Sequence, residues 1–411
     1  MKLEEVKLKD ISINNRGYYG IGASAVAHDE NKYTYLRITD INDDGTLNTA
    51  NLMSVDDKNA KDFLLQKNDI VFARTGASTG RNYFYDGEID NMVFAGFLIK
   101  FSIDEKKVNP KFVKYYCLSQ KYRNWIASSL TGSTRPNINE KQLAEMPITI
   151  PNRDYQDKIV KILDSITKKI RLNNQINDNL FELLKIEFKT KFYNKNSDAK
   201  LSDYISNTIG GDWGKELPVD NYNTKVYCVR GADIPNMEYG NKGNAPTRYI
   251  LEKNYNNKKL KPNNIIIEIS GGSPTQSTGR TAYITENILS MYDAPLLCTN
   301  FCRAIETKKD IYAPFVYMYL TLMYEEDIFF NWENGTTGIK NLALNDLLLN
   351  IEITQPNEDE LNNYYILFNN IMNKISNNSN ENIKLEQLRD TLLPKLMNGE
   401  IDLEKINLEE I

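Results

Sequence analysis

Two loops carry the side chains best suited to chemistry. Arg74-Thr75-Gly76-Ala77-Ser78-Thr79-Gly80-Arg81 lies between β-rich runs, and Ser270-Gly271-Gly272-Ser273-Pro274-Thr275-Gln276-Ser277-Thr278-Gly279-Arg280 occupies a similar place later in the chain. Glycines let backbone come close to a ligand, and hydroxyls and amides can meet phosphate oxygens. Arg74, Arg81 and Arg280 can reach phosphates or the edge of guanine, and Gln276 carries the donor–acceptor pair that matches adenine. The candidates for nucleic-acid contact are therefore Arg74, Thr75, Ser78, Thr79 and Arg81 in the first loop, with Ser273, Thr275, Gln276, Ser277 and Arg280 in the second. A second pair, Gly132-Ser133-Thr134-Arg135-Pro136-Asn137 and Gly335-Thr336-Thr337-Gly338-Ile339-Lys340-Asn341, sets a cation beside small hydroxyl residues and adds Thr134, Arg135, Asn137, Thr337, Lys340 and Asn341. Tyr18 and Tyr19 near Arg16, and Trp213 near Lys215, can lie against a sugar–phosphate backbone. The competing reading of the loops is a set of tight turns and helix caps.

Catalytic patterns are missing. The single histidine, His28, stands in a loop-like stretch with no nucleophile pattern beside it. ARTGASTGR lacks the Lys–Ser/Thr ending of a phosphate-binding Walker loop, and no dinucleotide fingerprint, G-x-S-x-G or HExxH occurs. Cys117, Cys228, Cys298 and Cys302 form neither a disulfide framework nor a plausible zinc set; Cys298 and Cys302 are close, but no histidine is near. The chain reads as a binding protein with no catalytic residue and no metal ligand.

The elements that must hold these loops occur twice. KLKDISI, YLRITDIN, LLQKNDIVFARTGASTGR, NPKFVKYYCLS, TGSTRPNI and MPITIP return in order as AKLSDYISN, VYCVRGADIPN, LKPNNIIIEISGGSPTQSTGR, YAPFVYMYLTL, NGTTGIKNL and NIEITQP, at offsets of about 193 to 205 positions. In the first copy, Tyr33–Asn42, Phe63–Gly76, Arg81–Asp86 and Asn91–Ile103 read as strands, and Pro110–Ser129 reads as one helix. The repeat predicts two similar mixed α/β lobes, hence an α+β chain with a pseudo-twofold internal repeat.

Each lobe runs into a long helical segment. Asp154–Lys191 contains no Pro or Gly, and Asn152 can cap its first amides. Ile159, Ile166 and Leu180 share one heptad register, and Leu163, Ile170 and Leu184 share another. At ~1.5 Å per residue the segment makes a rod of roughly 55 Å, whose narrow apolar stripe needs a partner helix. The segment from Glu358 supplies one, with Leu361, Tyr365, Phe368, Met372, Ile375, Leu385, Leu388 and Leu392 as its stripe. Both segments turn polar in the middle, at Asn173, Asn174 and Asn177 and at Asn377, Asn378, Asn380 and Asn382. An antiparallel coiled coil brings these centres together, where polar residues fix register. The expected divisions are a first lobe at 1–151, a central helix at 152–195, a second lobe at 196–356, and a C-terminal helix and tail at 357–411.

Composition sets the outer limits. A chain of 411 residues, 41% hydrophobic and 26% charged, suits a soluble protein of two or three domains. No apolar run reaches the ~20 residues of a membrane span, and MKLEEVKLKD is no signal peptide, so a cytoplasmic location is expected. The net charge of −5 speaks against a chain that grips nucleic acid alone. By count, residues 1–150 sit near +1 and residues 200–355 near −3. A partner is expected to share the phosphate contacts.

A lobe closing in TGSTRPNI or NGTTGIKNL, then an ITIP-like strand and a long helix, all done twice, resembles the specificity subunit of type I restriction–modification enzymes. LRDTLLPKLMNGEIDL at Leu388–Leu403 is similar to that family's LLPKLLSGEI ending, and the resemblance covers essentially the whole chain. It implies that each lobe is a target recognition domain for one half of a bipartite sequence in double-stranded DNA. It also implies that the paired helices set the gap and dock two methyltransferase subunits, with two restriction subunits completing the endonuclease. S-adenosylmethionine, ATP and Mg²⁺ would belong to those partners, and this chain would hold no cofactor. The second lobe has Ile-Lys-Asn where the first has Arg-Pro-Asn, which puts equal roles for Arg135 and Lys340 in doubt. The alternative reading is a two-headed protein–protein scaffold without DNA recognition. A fused restriction–methylation enzyme would need an S-adenosylmethionine pocket and an NPPY-like motif, and neither is found.

Overall fold

The structure, a computed structural model, describes residues 3–49, 52–130, 136–193, 198–273, 276–335 and 340–403. The chain divides into two compact units, one of Met1–Lys168 with Leu385–Ile411 and the other of Lys169–Lys384.

In the first unit a four-stranded sheet runs in the order Tyr18–Tyr19, Leu98–Ser102, Asp69–Ala73, Asn82–Tyr85. A second sheet orders Ala25–Val26, Met53–Val55, Tyr33–Leu36 and Met92–Phe94, the last two parallel. Glu4–Lys7 closes the lobe by pairing antiparallel with Pro147–Ile150. The stretch expected as one helix over Pro110–Ser129 is two, Pro110–Tyr116 and Gln120–Ser129. Asn82 Nδ2 donates to the Cys117 carbonyl at 2.9 Å, and Ser119 caps the second helix, so the intrahelical ladder is diverted at the break. The long helix Arg153–Lys191 begins in this unit, with Asn152 Oδ1 accepting from the Tyr155 amide at 3.0 Å. Tyr115 donates to Asp164 at 2.6 Å, and the Asn109 amide donates to Gln156 Oε1 at 2.8 Å; both tie the lobe to that helix.

The second unit repeats the plan. Its four-stranded sheet orders Ile205–Gly210, Cys302–Thr307, Ile265–Glu268 and Thr281–Tyr283. A parallel pair, Tyr222–Val229 with Leu296–Cys298, stands where Tyr33–Leu36 and Met92–Phe94 stand in the first. Ala199–Lys200 with Glu352–Ile353 closes this lobe. The agreement reaches side chains. Asp40 accepts from the Arg37 amide, Nε and Nη2 at 2.8, 3.0 and 2.6 Å, and Asp233 accepts from the same three groups of Arg230 at 2.9, 3.0 and 3.1 Å.

Both long helices form, as Arg153–Lys191 and Glu358–Asn398. Within the second unit they lie antiparallel: Tyr364 donates to the Leu184 carbonyl at 3.2 Å, Asn378 to Asn177 at 2.8 Å, and Asn173 to Asn382 at 2.9 Å. Phe188 packs among Phe315, Tyr319 and Tyr364 with ring centroids 5.0 to 5.7 Å apart, which ties both helices to the lobe. The stripe differs in places from the expected one. Tyr364, rather than Tyr365, is fully buried, and Phe181 and Phe188 join the first helix's stripe. Leu388 is exposed, while Leu393, Leu396 and Met397 are buried. Asn378, Ser379 and Asn382 occupy stripe positions themselves, and carrying their spacing forward puts Leu388 on the outer face.

Candidate nucleic-acid interface

Both loops are fixed by the same backbone register. In the first lobe the Arg74 amide donates to the Phe97 carbonyl at 3.0 Å, and the Arg74 carbonyl accepts from the Ile138 amide at 2.9 Å. In the second, the Ile269 amide donates to the Phe301 carbonyl at 2.8 Å, and the Ile269 carbonyl accepts from the Leu342 amide at 2.9 Å. Thr75 accordingly faces Asn137 in a bridge, and Ser270 pairs with Asn341. The two loops of each lobe, separate in sequence, thus form one site. The register also sets Lys340 opposite Gly271, where Pro136 accepts from Gly76, so Lys340 corresponds to Pro136 rather than to Arg135.

In the first lobe the loop makes a 3-10 turn at Gly76–Ser78. Thr79 Oγ1 donates to the Gly76 carbonyl at 2.7 Å, and the Ser78 carbonyl accepts from the Arg81 amide at 2.9 Å. Gly80 has φ +91°, and a Cβ there would come within 2.7 Å of Ile126, so this glycine is structural. Asn137 is exposed and Thr75 and Ser78 are partly so. The Arg74 guanidinium lies over the Tyr19 ring at 5.0 Å, and its buried Nε has no hydrogen-bond partner. Tyr19 Oη accepts from the Glu140 amide at 3.1 Å, which fixes the ring under the cation. Arg16 stacks on Tyr18 at 4.6 Å, and its hydrogen bond holds the Tyr18 hydroxyl below its ordinary pKa. Arg81 instead turns to Asp43, Nε to Oδ1 at 2.6 Å, and to the Ile41 carbonyl at 3.2 Å.

In the second lobe the cations are more firmly committed. Arg280 makes a two-pronged pair with Glu268, at 2.9 and 2.8 Å, and the side chains are 25% and 5% exposed. That hydrogen bond holds the guanidinium's pKa above its ordinary value. Lys340 pairs with Glu333 at 2.8 Å, and Glu333 also accepts from the Thr278 amide at 2.5 Å. Both cations therefore brace the loop through acidic partners that the loop sequence does not reveal. Gln276 Nε2 donates to Tyr324 Oη at 3.0 Å, and Ser273 bridges Gln276 across the loop tip. Ser277 Oγ is buried without a partner. Trp213 pairs with Arg248, 3.9 Å from its ring, while Lys215 lies over Tyr222. Thr134, Arg135, Thr275 and Thr337 lie outside the described residues. All four cysteines are buried, and burial pushes the Cys302 and Cys228 thiols up to about 12.

The site therefore consists of a hydroxyl- and glycine-rich loop braced by a neighbouring strand, built twice on one framework with different side chains. A family described as "Type I restriction modification DNA specificity domain" matches the chain twice, over residues 2–182 and 194–388. The chain belongs to that family. Among curated relatives, the type I restriction enzyme HindI specificity subunit of Haemophilus influenzae is 24% identical, covering 82% of this chain and 87% of that protein. The MjaIX specificity subunit of Methanocaldococcus jannaschii is 23% identical over 74% of this chain and 72% of its own length. The fold is similar to the crystal structure of a type I restriction–modification system S subunit from M. genitalium, with a TM-score of 0.51, 16% identity and 96% of each chain covered. The two lobes are thus the two DNA-recognition domains of a type I specificity subunit. Among the described residues no helix is long and apolar enough to cross a membrane.

Proposed function

We propose that each lobe binds one half of a bipartite sequence in double-stranded DNA, and that the paired helices set the gap between the halves. The observation that carries this reading is the shared register around Arg74 and Ile269: one backbone frame presents two different sets of loop side chains. Direct readout requires such a frame, since constant backbone positions side chains and variable side chains choose bases. In the first lobe Arg74 and the hydroxyls of Thr75, Ser78 and Thr79, with Asn137, are the contacts. In the second they are Gln276 and Ser273, with Asn341; the Ser277 hydroxyl is buried and faces no ligand, and Arg280 and Lys340 act through the loop they brace.

The helices dock two methyltransferase subunits, which close on the DNA and share its phosphates, in keeping with a net charge of −5. Two restriction subunits complete the endonuclease. This chain contributes no catalytic group and no cofactor; S-adenosylmethionine, ATP and Mg²⁺ belong to the partners, and the complex works in the cytoplasm. The test is to purify the chain with its methyltransferase and map the adenines that the complex methylates. Two defined blocks separated by a fixed gap are expected. A complex that assembles but methylates a continuous site, or none, rejects the reading and favours a protein scaffold.

A further inference from the structure

Beside each loop lies a β-turn with one feature in common. The Leu98 amide donates to the Ala95 carbonyl at 2.8 Å, closing Ala95-Gly96-Phe97-Leu98, and the Cys302 amide donates to the Thr299 carbonyl at 3.0 Å, closing Thr299-Asn300-Phe301-Cys302. Phenylalanine is the one residue the two turns share, at the third position of each. The two rings are the most outward of their lobes' phenylalanines, with Phe97 59% and Phe301 58% exposed.

Three restraints hold each turn. Its phenylalanine carbonyl accepts from the residue at the entry to the Gly/Ser loop, Arg74 or Ile269. The glycine just after the edge strand presses on its back: a Cβ at Gly20 would come within 2.3 Å of the Ala95 carbonyl, and one at Gly211 within 1.9 Å of the Thr299 carbonyl. The neighbouring amides complete the clamp, Ile21 donating to Phe94 at 3.0 Å and Asp212 to Cys298 at 2.8 Å. A fold that buries its apolar residues gains nothing by fixing a bare aromatic ring in water twice at one register.

We infer that Phe97 and Phe301 are apolar DNA contacts of the two lobes, each ring packed against the bases of its half-site beside the polar loop. The inference rests on the proposed DNA reading of those loops. DNA is the favoured occupant because the backbone carbonyl of each phenylalanine is hydrogen-bonded to the strand leading into the loop that carries the hydroxyls, amides and Arg74 or Gln276. In a duplex an apolar ring can wedge against a base step and partly unstack it without reading a particular base, which explains how lobes with different loops keep the same ring.

The test uses the full chain in complex with its methyltransferase. Phe97→Ala and Phe301→Ala should assemble and melt close to the wild type, because each residue is more than half exposed. Each should bind the bipartite site roughly 5- to 150-fold more weakly. Tryptophan at either position should restore binding. A 2-aminopurine placed through the half-site should report, by fluorescence, a base whose stacking changes with wild type and not with the matching alanine variant. Alanine variants that bind and methylate as the wild type does overturn the inference, as do variants that lose the methyltransferase while free chain still binds DNA normally. A wild-type complex without a defined DNA site would instead remove the DNA reading itself, so the two failures are distinguishable.

Discussion

Asn173 donates to Asn382 across the two long helices at 2.9 Å, and Asn382 in turn donates to Asn174 at 2.8 Å. Asn173 is 1% exposed, so this is a buried polar seam in an otherwise apolar stripe. One register satisfies it. Sliding either helix by a turn leaves buried amides without partners, at about 1–3 kcal/mol each. The seam therefore fixes how the helices align, which a spacer requires. Asn173→Leu or Asn382→Leu alone should cost about 1–3 kcal/mol, while the double variant should recover much of that loss and loosen the register. Denaturation of all four proteins gives the coupling; strictly additive effects count against the seam.

The two loop arginines should behave differently. Arg280→Met strips the partner from a carboxylate whose side chain is 5% exposed and should cost about 3 kcal/mol. Arg81→Met breaks a pair whose acid, Asp43, is 83% exposed, and should cost less than about 1 kcal/mol. Urea titrations decide it, and equal losses would contradict the assignment of Arg280 to the frame.

Arg74→Ala should relax or weaken the first half-site alone, and Gln276→Ala the second alone, by about 1–3 kcal/mol for a lost base contact. A phosphate contact would instead weaken binding to all sequences alike. Methylome sequencing of cells carrying each variant distinguishes these outcomes. An unchanged second half-site with Gln276→Ala rejects that residue's role.

Glu238 gives a pH signature. Burial and the nearby Glu325 push its carboxyl up to about 7, against a smaller opposing effect of Lys185. The folded chain thus holds this proton more tightly than the unfolded one between about pH 4.5 and 7. Its contribution to stability is full below pH 4.5 and is lost as pH rises through 7. Glu238→Gln should flatten the fall in melting temperature over that window and stabilise the chain at pH 8 by on the order of 2 kcal/mol. An unaltered pH profile would refute it.

The duplication was legible because it is written in framework residues. The Arg37–Asp40 and Arg230–Asp233 clamps and the closing strands depend on local spacing that sequence preserves. The asparagine seam was legible too, as a polar break in two apolar stripes. The braces of the loops were not. Glu268 lies within the apolar run IIIEIS, and Asp43 lies 38 residues from Arg81. A lone acid in a buried strand was the available signal for Glu268. Phe97 and Phe301 were hidden because FLIKF and CTNFC look like ordinary strand residues, and only the turn geometry turns their rings outward. Leu388 departs from the expected stripe because the buried Asn378, Ser379 and Asn382 take stripe positions themselves and move the buried face past it.

The most direct measurement is methylation mapping of DNA modified by the complex of this chain with its methyltransferase, comparing the wild type with a variant whose residues 199–353 are replaced by the corresponding lobe of a relative. A two-block target is expected in the wild type, with one block changed and the other block and the gap preserved in the chimera. A correctly assembled chimera that changes both blocks, or neither, would contradict it.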